Sequence, residues 1–291
     1  MIEIRGDRFA GEVSGIDLTR ALTPAGTAAL EAGMDRYAVL IFRGQNVTGN
    51  QQKAFSETFG PQEHTAGGNV TQTADRRLDV YMADASNLDR NHRIFARDDR
   101  RRMFGLGNML WHSDSSYRAV PAKYSILSGR IVVDRGGRTE FADMRAAYDA
   151  LDAPAKAEIE TLICHHSLIY SRATLGFTEL TDAGRAMFKP VRQRLVRTHP
   201  VTGRKSLFLS AHMGTIEGWP VPEARAFLRD LMEHATQRCF VYPHVWKQFD
   251  VVIWDNRTTM HRATRFDNAH VRDLRRTTVA GDAPTMEQIA A

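Results

Sequence analysis

The 291-residue sequence is poor in cysteine, holding two, Cys164 and Cys239. Two thiols cannot build a disulfide framework or a cysteine-rich zinc site, and as free, buried, apolar-like groups they suit a reducing cytoplasm. Long apolar runs are also missing. No stretch approaches the roughly 18 residues that a membrane span requires. The opening Met1-Ile2-Glu3-Ile4-Arg5 lacks a basic leader followed by an apolar segment, so a soluble protein that is not exported is expected. Nor does one charge dominate: 39 Lys and Arg against 34 Asp and Glu leave +5, a mild excess that favours small anionic ligands. The densest basic run, Arg97-Asp98-Asp99-Arg100-Arg101-Arg102, is interrupted by two acids and reads as a solvated loop rather than a nucleic-acid footprint. With 43% hydrophobic and 25% charged residues, disorder is excluded and a packed core is affordable.

What is present alternates between helix and strand signals. Thr23-Pro24 marks a helix start, followed by a helix to about Tyr37. Ala38 to Phe42 is a short apolar run that reads as a buried strand. Thr48 caps a second short helix that stops at Gly60-Pro61. Residues 62–106 are rich in Gly, Asn, Asp and Arg, with one strand-like patch at Leu78 to Met82. A segment of that length reads as an active-site loop or lid. Further on, strands are expected at 107–112, 124–133, 194–198, 206–210, 239–245, 250–255 and 271–280, with helices near 143–151, 154–164 and 221–236. Many short strands with a few helices argue a mostly β sandwich or barrel with helical cover. With no repeat and no linker, one domain spanning 1–291 is expected.

The motif Asn108-Met109-Leu110-Trp111-His112-Ser113-Asp114 offers an imidazole and a carboxylate two residues apart. On a strand both would project from one face. Taken alone, that pattern arises by chance in a chain this size. It gains weight from a second cluster, Asp250-Val251-Val252-Ile253-Trp254-Asp255-Asn256-Arg257, with His261 just beyond. Two imidazoles and one carboxylate on one side of a metal make the facial triad of non-haem Fe(II) oxygenases, whereas zinc favours a closed site or three ligands and one water. Downstream, Val271 to Val279 alternates as a strand with Arg272, Leu274 and Arg276 on one face. Two inward arginines call for two carboxylates, and solvated arginines on an edge strand are the alternative. Gly136-Gly137-Arg138-Thr139 adds a tight turn followed by a hydroxyl donor.

Together these residues resemble the taurine/2,4-dichlorophenoxyacetate dioxygenase family of Fe(II)- and 2-oxoglutarate-dependent enzymes. The spacings carry the resemblance: Thr139 lies 25 residues after Asp114, Arg272 lies 11 after His261, and Arg276 lies 4 further on. Trp254-Asp255-Asn256-Arg257 is similar to the family's W-D-N-R before the distal histidine. The stretches at 111–116, 136–151 and 195–200 look closest to the aryloxyacetate-cleaving branch.

The resemblance implies a double-stranded β-helix, or jelly roll, with helices outside. It implies iron bound by His112, Asp114 and His261, and 2-oxoglutarate held by Arg272 and Thr139 beside Trp254. Arg276 would anchor the anionic group of the substrate or support the cosubstrate, with Asn108, His199 and His212 as further pocket residues. The implied reaction consumes dioxygen and 2-oxoglutarate, releases succinate and carbon dioxide, and hydroxylates the carbon beside the ether oxygen of an aryloxyacetate. The product then collapses to a phenol and glyoxylate. Taurine or another alkanesulfonate is the alternative substrate within the family, and a non-catalytic nucleic-acid-binding protein is the alternative outside it. No nucleic-acid or membrane partner is expected. Homo-oligomers are common among soluble enzymes, so self-association is.

Overall fold

In the computed structural model, the described residues are 2–65, 75–178 and 180–287. Their frame is a seven-stranded sheet facing a three-stranded one. The large sheet runs, in spatial order, Glu3–Arg5, Ala10–Ser14, Val39–Phe42, Val251–Asp255, Tyr124–Ile131, Asp273–Thr278 and Ala83–Asp84. The small sheet places Thr139–Asp143 between Val241–His244 and Thr259–Ala263. Every pairing is antiparallel except that of Ala10–Ser14 with Val39–Phe42. This is the expected jelly roll with helices outside.

Strand alternation explains the layering. Because successive side chains point to opposite faces, Leu40, Phe42, Ile126, Val251 and Ile253 of the large sheet face outward. They pack against Leu30 and Met34 of the Pro24–Tyr37 helix and Phe55 of the Gly49–Glu57 helix. Their neighbours Val39, Ile41, Leu127, Val252, Trp254 and Leu274 face inward and meet Phe141 of the small sheet. Each such buried side chain contributes about 1.5–3 kcal/mol. The first helix starts where expected, with Thr23 Oγ1 accepting from Gly26 N at 3.1 Å and Pro24 in the first turn. The second has a capping box between Thr48 and Gln51. A third cluster seats Ala224, Leu228, Leu231 and Ala235 of the Val221–Ala235 helix, spaced at helical intervals, against Met144, Ala147, Leu207 and Ile216.

Several local expectations fail for physical reasons. Residues 107–112 are not a strand: Leu106–Met109 is a short 3-10 turn, and His112 makes one isolated bridge. The Leu78 to Met82 patch is not a strand either, and the short strand in that region is Ala83–Asp84. The basic run closes as a helix, Arg100–Gly105, because Asp99 caps Arg101 N at 2.8 Å. The helix near 154–164 ends at Ile159, and Ile163–His166 enters a small sheet with Met213–Ile216 and Val191–Arg194. Cys164 is buried as expected, but Cys239 is exposed. Of the 62–106 segment, 66–74 fall outside the described residues. No helix among the described residues is long and apolar enough to cross a membrane.

Candidate metal and cosubstrate site

The mouth of the jelly roll brings the two halves of the sequence motif together. His261 sits mid-strand in Thr259–Ala263, and His112 pairs with it across an antiparallel bridge. His112 N donates to His261 O at 3.0 Å, and His261 N donates to His112 O at 2.8 Å. Cross-strand neighbours hold their side chains side by side, and the two rings lie 4.2 Å apart. Asp114 follows in a turn whose next residue, Ser115, has φ +56°. The pair thus converges through a bridge and a turn rather than along one strand. Asp114 Oδ1 lies 3.9 Å from His112 Nε2, and its Oδ2 lies 3.6 Å from His261 Nε2. One ligand atom from each of the three buried residues falls within 4.8 Å of the others.

The surroundings fix this set. Leu110 O accepts from His112 Nδ1 at 2.7 Å, which leaves Nε2 with its lone pair toward Asp114. Ser125 Oγ donates to Asp114 Oδ2 at 2.7 Å, and Asp114 N donates to Asn256 Oδ1 at 3.1 Å. Asn256 is itself held by Trp254 Nε1 at 3.0 Å and donates to Ser125 Oγ at 3.0 Å. Arg276 Nη1 donates to Asp114 Oδ1. Burial alone would raise the Asp114 carboxyl, but the Arg276 guanidinium, then His261 and His112, hold it down to about 2. Burial pushes both imidazoles below their ordinary range. An ionised carboxylate and two neutral imidazoles are the protonation states a divalent metal needs, and this nitrogen-and-oxygen donor set fits iron.

A cavity of about 1190 Å³ opens over the three ligands. Asn108, His212, Thr139, Trp254, Arg272 and Arg276 all line it. Arg272 is 7% exposed and meets no carboxylate among the described residues. Its Nη1 and Nη2 donate to Ala85 O at 3.1 Å and Gly137 O at 3.3 Å. Burial lowers its pKa to about 10, yet it stays a cation at neutral pH. Gly137, at φ +61°, turns under it, and a Cβ there would lie 2.9 Å from Val133. Thr139 Oγ1 accepts from Trp246 Nε1 at 3.0 Å, which leaves its own proton for another acceptor. A buried guanidinium with spare donors and a nearby hydroxyl fit a carboxylate-bearing cosubstrate.

One expectation needs correction. His199 does not line the cavity: its Nε2 lies 3.2 Å from Asp255 Oδ2, inside a buried cluster that Arg257 completes by donating to the same oxygen at 2.8 Å. The Arg257 guanidinium compensates that buried carboxylate and His199 packs beside it, so His199 serves structure. Arg276 lines the cavity, and its Nη1 donates to Asp114 Oδ1. Conversely, sequence reading missed Arg172, which lines the cavity from the helix Leu168–Thr174 and is 6% exposed. The only signal was an arginine in an otherwise apolar stretch. His212, stacked edge-on 5.9 Å from His112, is tied to that helix by Ser171 Oγ, 2.9 Å from its Nδ1.

A jelly roll with two imidazoles and a carboxylate converging inside it defines the class of mononuclear non-haem metal oxygenases. The sequence matches the family described as "Taurine catabolism dioxygenase TauD, TfdA family" over residues 4–278. The chain belongs to that family, and it is a 2-oxoglutarate-dependent dioxygenase. It is 46% identical over 277 residues to the alpha-ketoglutarate-dependent 2,4-dichlorophenoxyacetate dioxygenase of Cupriavidus pinatubonensis, covering 94% of this chain and 96% of that protein. It is 38% identical to the (S)-phenoxypropionate/alpha-ketoglutarate-dioxygenase of Sphingobium herbicidovorans, covering 97% and 95%. Among solved structures, AAD-2 in complex with Mn(II) and N-oxalylglycine superposes with a TM-score of 0.95 at 57% identity, covering 98% of this chain and 99% of that one.

Proposed function

We propose that the enzyme hydroxylates the carbon beside the ether oxygen of an aryloxyacetate such as 2,4-dichlorophenoxyacetate, with His112, Asp114 and His261 as iron ligands and Arg272 and Thr139 as the cosubstrate seat. The observation that carries the reading is the juxtaposition of a preorganised ligand set, its carboxyl pKa held low, with a buried guanidinium that has no carboxylate partner among the described residues. Bound iron supplies the coupling of dioxygen reduction to the decarboxylation of 2-oxoglutarate. The residues supply placement. Arg272 orients the distal carboxylate of the cosubstrate, and the Thr139 hydroxyl donates to its other end. Arg276 and Ser125 keep Asp114 ionised and aimed. Phe104, Leu106, Leu168 and Tyr117 give part of the cavity the apolar wall that an aryl ring needs and an aminosulfonate does not. The Mn(II) and N-oxalylglycine of the AAD-2 complex are a metal and a dicarboxylic acid, the ligand types this site is built for.

The test is a turnover panel under Fe(II), 2-oxoglutarate and oxygen, with phenoxyacetates against taurine. Succinate and glyoxylate should appear together with a phenoxyacetate, with taurine at least tenfold slower. Faster turnover of taurine, or succinate without glyoxylate from every phenoxyacetate, would overturn the reading.

A further inference from the structure

Thr139 is placed by the strands on either side of it. On one side it pairs with Ala263, while Phe141, on the same strand, pairs with the ligand His261. On the other side it pairs with His244. Two residues beyond His244 the chain returns, and Trp246 Nε1 donates to Thr139 Oγ1 at 3.0 Å. The indole is 7% exposed and wedged in position. Its ring lies edge-on to that of His244 at 4.5 Å, and a Cβ at Gly129 would come within 3.1 Å of its Cε3. Thr139 lines the cavity over the metal ligands, and Trp246 does not. Trp246 lines instead a separate pocket of about 450 Å³, where Arg272 is also part of the wall. The indole therefore acts on the cavity through Thr139 rather than by touching a ligand in it. An indole N–H donates and cannot accept. With one lone pair of the Thr139 oxygen engaged in this way, the hydroxyl proton is directed away from the indole, toward an acceptor in the cavity.

We infer that Trp246 is a positioning residue for the cosubstrate: it does not touch 2-oxoglutarate, and it sets the affinity for it by fixing the Thr139 hydroxyl as a donor. The inference rests on the functional reading above, in which Thr139 seats a cosubstrate carboxylate, and adds the residue that orients that seat. A hydroxyl free to rotate would spend part of its time with its proton turned from the carboxylate, and the indole removes that freedom before the ligand arrives. Hydrogen bonds in a chain polarise one another, so a carboxylate that accepts from Thr139 also strengthens the bond from Trp246. Gly129 and His244 hold the ring, and the ring holds the hydroxyl.

The experiment compares wild type, Trp246→Phe, Thr139→Val and the double variant by calorimetric titration of the Mn(II) protein with N-oxalylglycine, a reading that needs no turnover. Phenylalanine keeps an aromatic ring and removes the N–H, and valine keeps the shape of threonine and removes the hydroxyl. In Trp246→Phe the Kd for N-oxalylglycine should rise roughly tenfold, as for loss of one hydrogen bond in a chain that ends on a charged group. Mn(II) affinity without ligand, which reports an intact metal site, and kcat at saturating 2-oxoglutarate should both stay within about threefold. In the Thr139→Val background the phenylalanine change should add less than about twofold, because the hydroxyl it acts through is gone. Should Trp246→Phe fail to fold, the wild type gives a second reading: with Zn(II) bound, the Trp246 indole proton should move downfield in the NMR spectrum when N-oxalylglycine is added. An unchanged Kd in Trp246→Phe, an equal loss in both backgrounds, or an indole resonance that ignores the ligand would overturn the positioning role alone. A Thr139→Val enzyme that binds N-oxalylglycine as tightly as wild type would overturn the cosubstrate seat, and the positioning role with it.

Discussion

Asp114 illustrates how much one side chain is asked to do. It must stay ionised while buried, present an oxygen to a metal and keep one orientation. Arg276, Ser125 and the Trp254–Asn256 pair divide those tasks. The first holds the charge, and the others hold the angle. Asn256→Ala removes the acceptor for Asp114 N and the donor to Ser125 while leaving all three ligands in place. Metal affinity should fall roughly 10- to 100-fold, as for other outer-shell partners. Titration with Mn(II) by calorimetry checks this, and an unchanged affinity would show that the turn alone orients Asp114. At this scale the candidate ligands were legible because their spacings to Thr139, Arg272 and Arg276 match the pattern of the family they resemble. The route by which His112 meets His261 was not, since an isolated bridge between distant segments leaves no periodic trace in either. Arg172 was hidden for a related reason: nothing local distinguishes a buried, unpaired arginine from a solvated one.

Among the elements, the strand Asp273–Thr278 does the most to shape the cavity, because it carries Arg276 and begins beside Arg272. It is tied to the segment before Ala83–Asp84 by Arg77, which donates to both oxygens of Asp273 at 2.8 and 2.7 Å and to both of Asp84 at 2.8 Å. Burial alone would raise the Asp273 carboxyl, but the Arg77 and Arg275 guanidinia outweigh it and hold it well below the usual carboxylate range. A depressed carboxyl contributes stability above its unfolded value, near 3.9, and loses it as the pH falls toward the folded value. Arg77→Ala should therefore destabilise the fold by about 3 kcal/mol at pH 7. The difference from wild type should shrink as the pH falls below about 4. Urea unfolding at several pH values measures both, and a deficit that stays constant into acid would assign the loss to packing instead. Helices with capping residues, such as Pro24–Tyr37 and Gly49–Glu57, were legible from sequence within a residue or two. The three- and four-residue strands were harder, because Ile163–His166 and Met213–Ile216 are too short to show alternation and are set by their partners.

For the molecule as a whole, two sheets of opposite inward alternation enclose a cavity whose chemistry comes from distant parts of the chain. His112 and Asp114 arrive from a turn, Thr139 and His261 from the small sheet, Arg276 from the large one, Arg272 from the residue before that strand, and Arg172 from the helix Leu168–Thr174. A mostly β core with helical cover followed from the run of short strands, and the jelly roll and the triad from the family resemblance. The filling of the cavity by residues 75–109 followed only from tertiary packing.

On this reading one metal ion and one 2-oxoglutarate share the cavity on those ligands. An anaerobic titration of the metal-free enzyme with Fe(II) and 2-oxoglutarate, read as the absorption of the ternary complex, tests it most directly. One iron per chain is expected, with no complex in His112→Ala or Asp114→Ala and, in Arg272→Ala, a 2-oxoglutarate requirement raised roughly thirtyfold or more. Full complex formation in either ligand variant, or an unchanged 2-oxoglutarate requirement in Arg272→Ala, would contradict it.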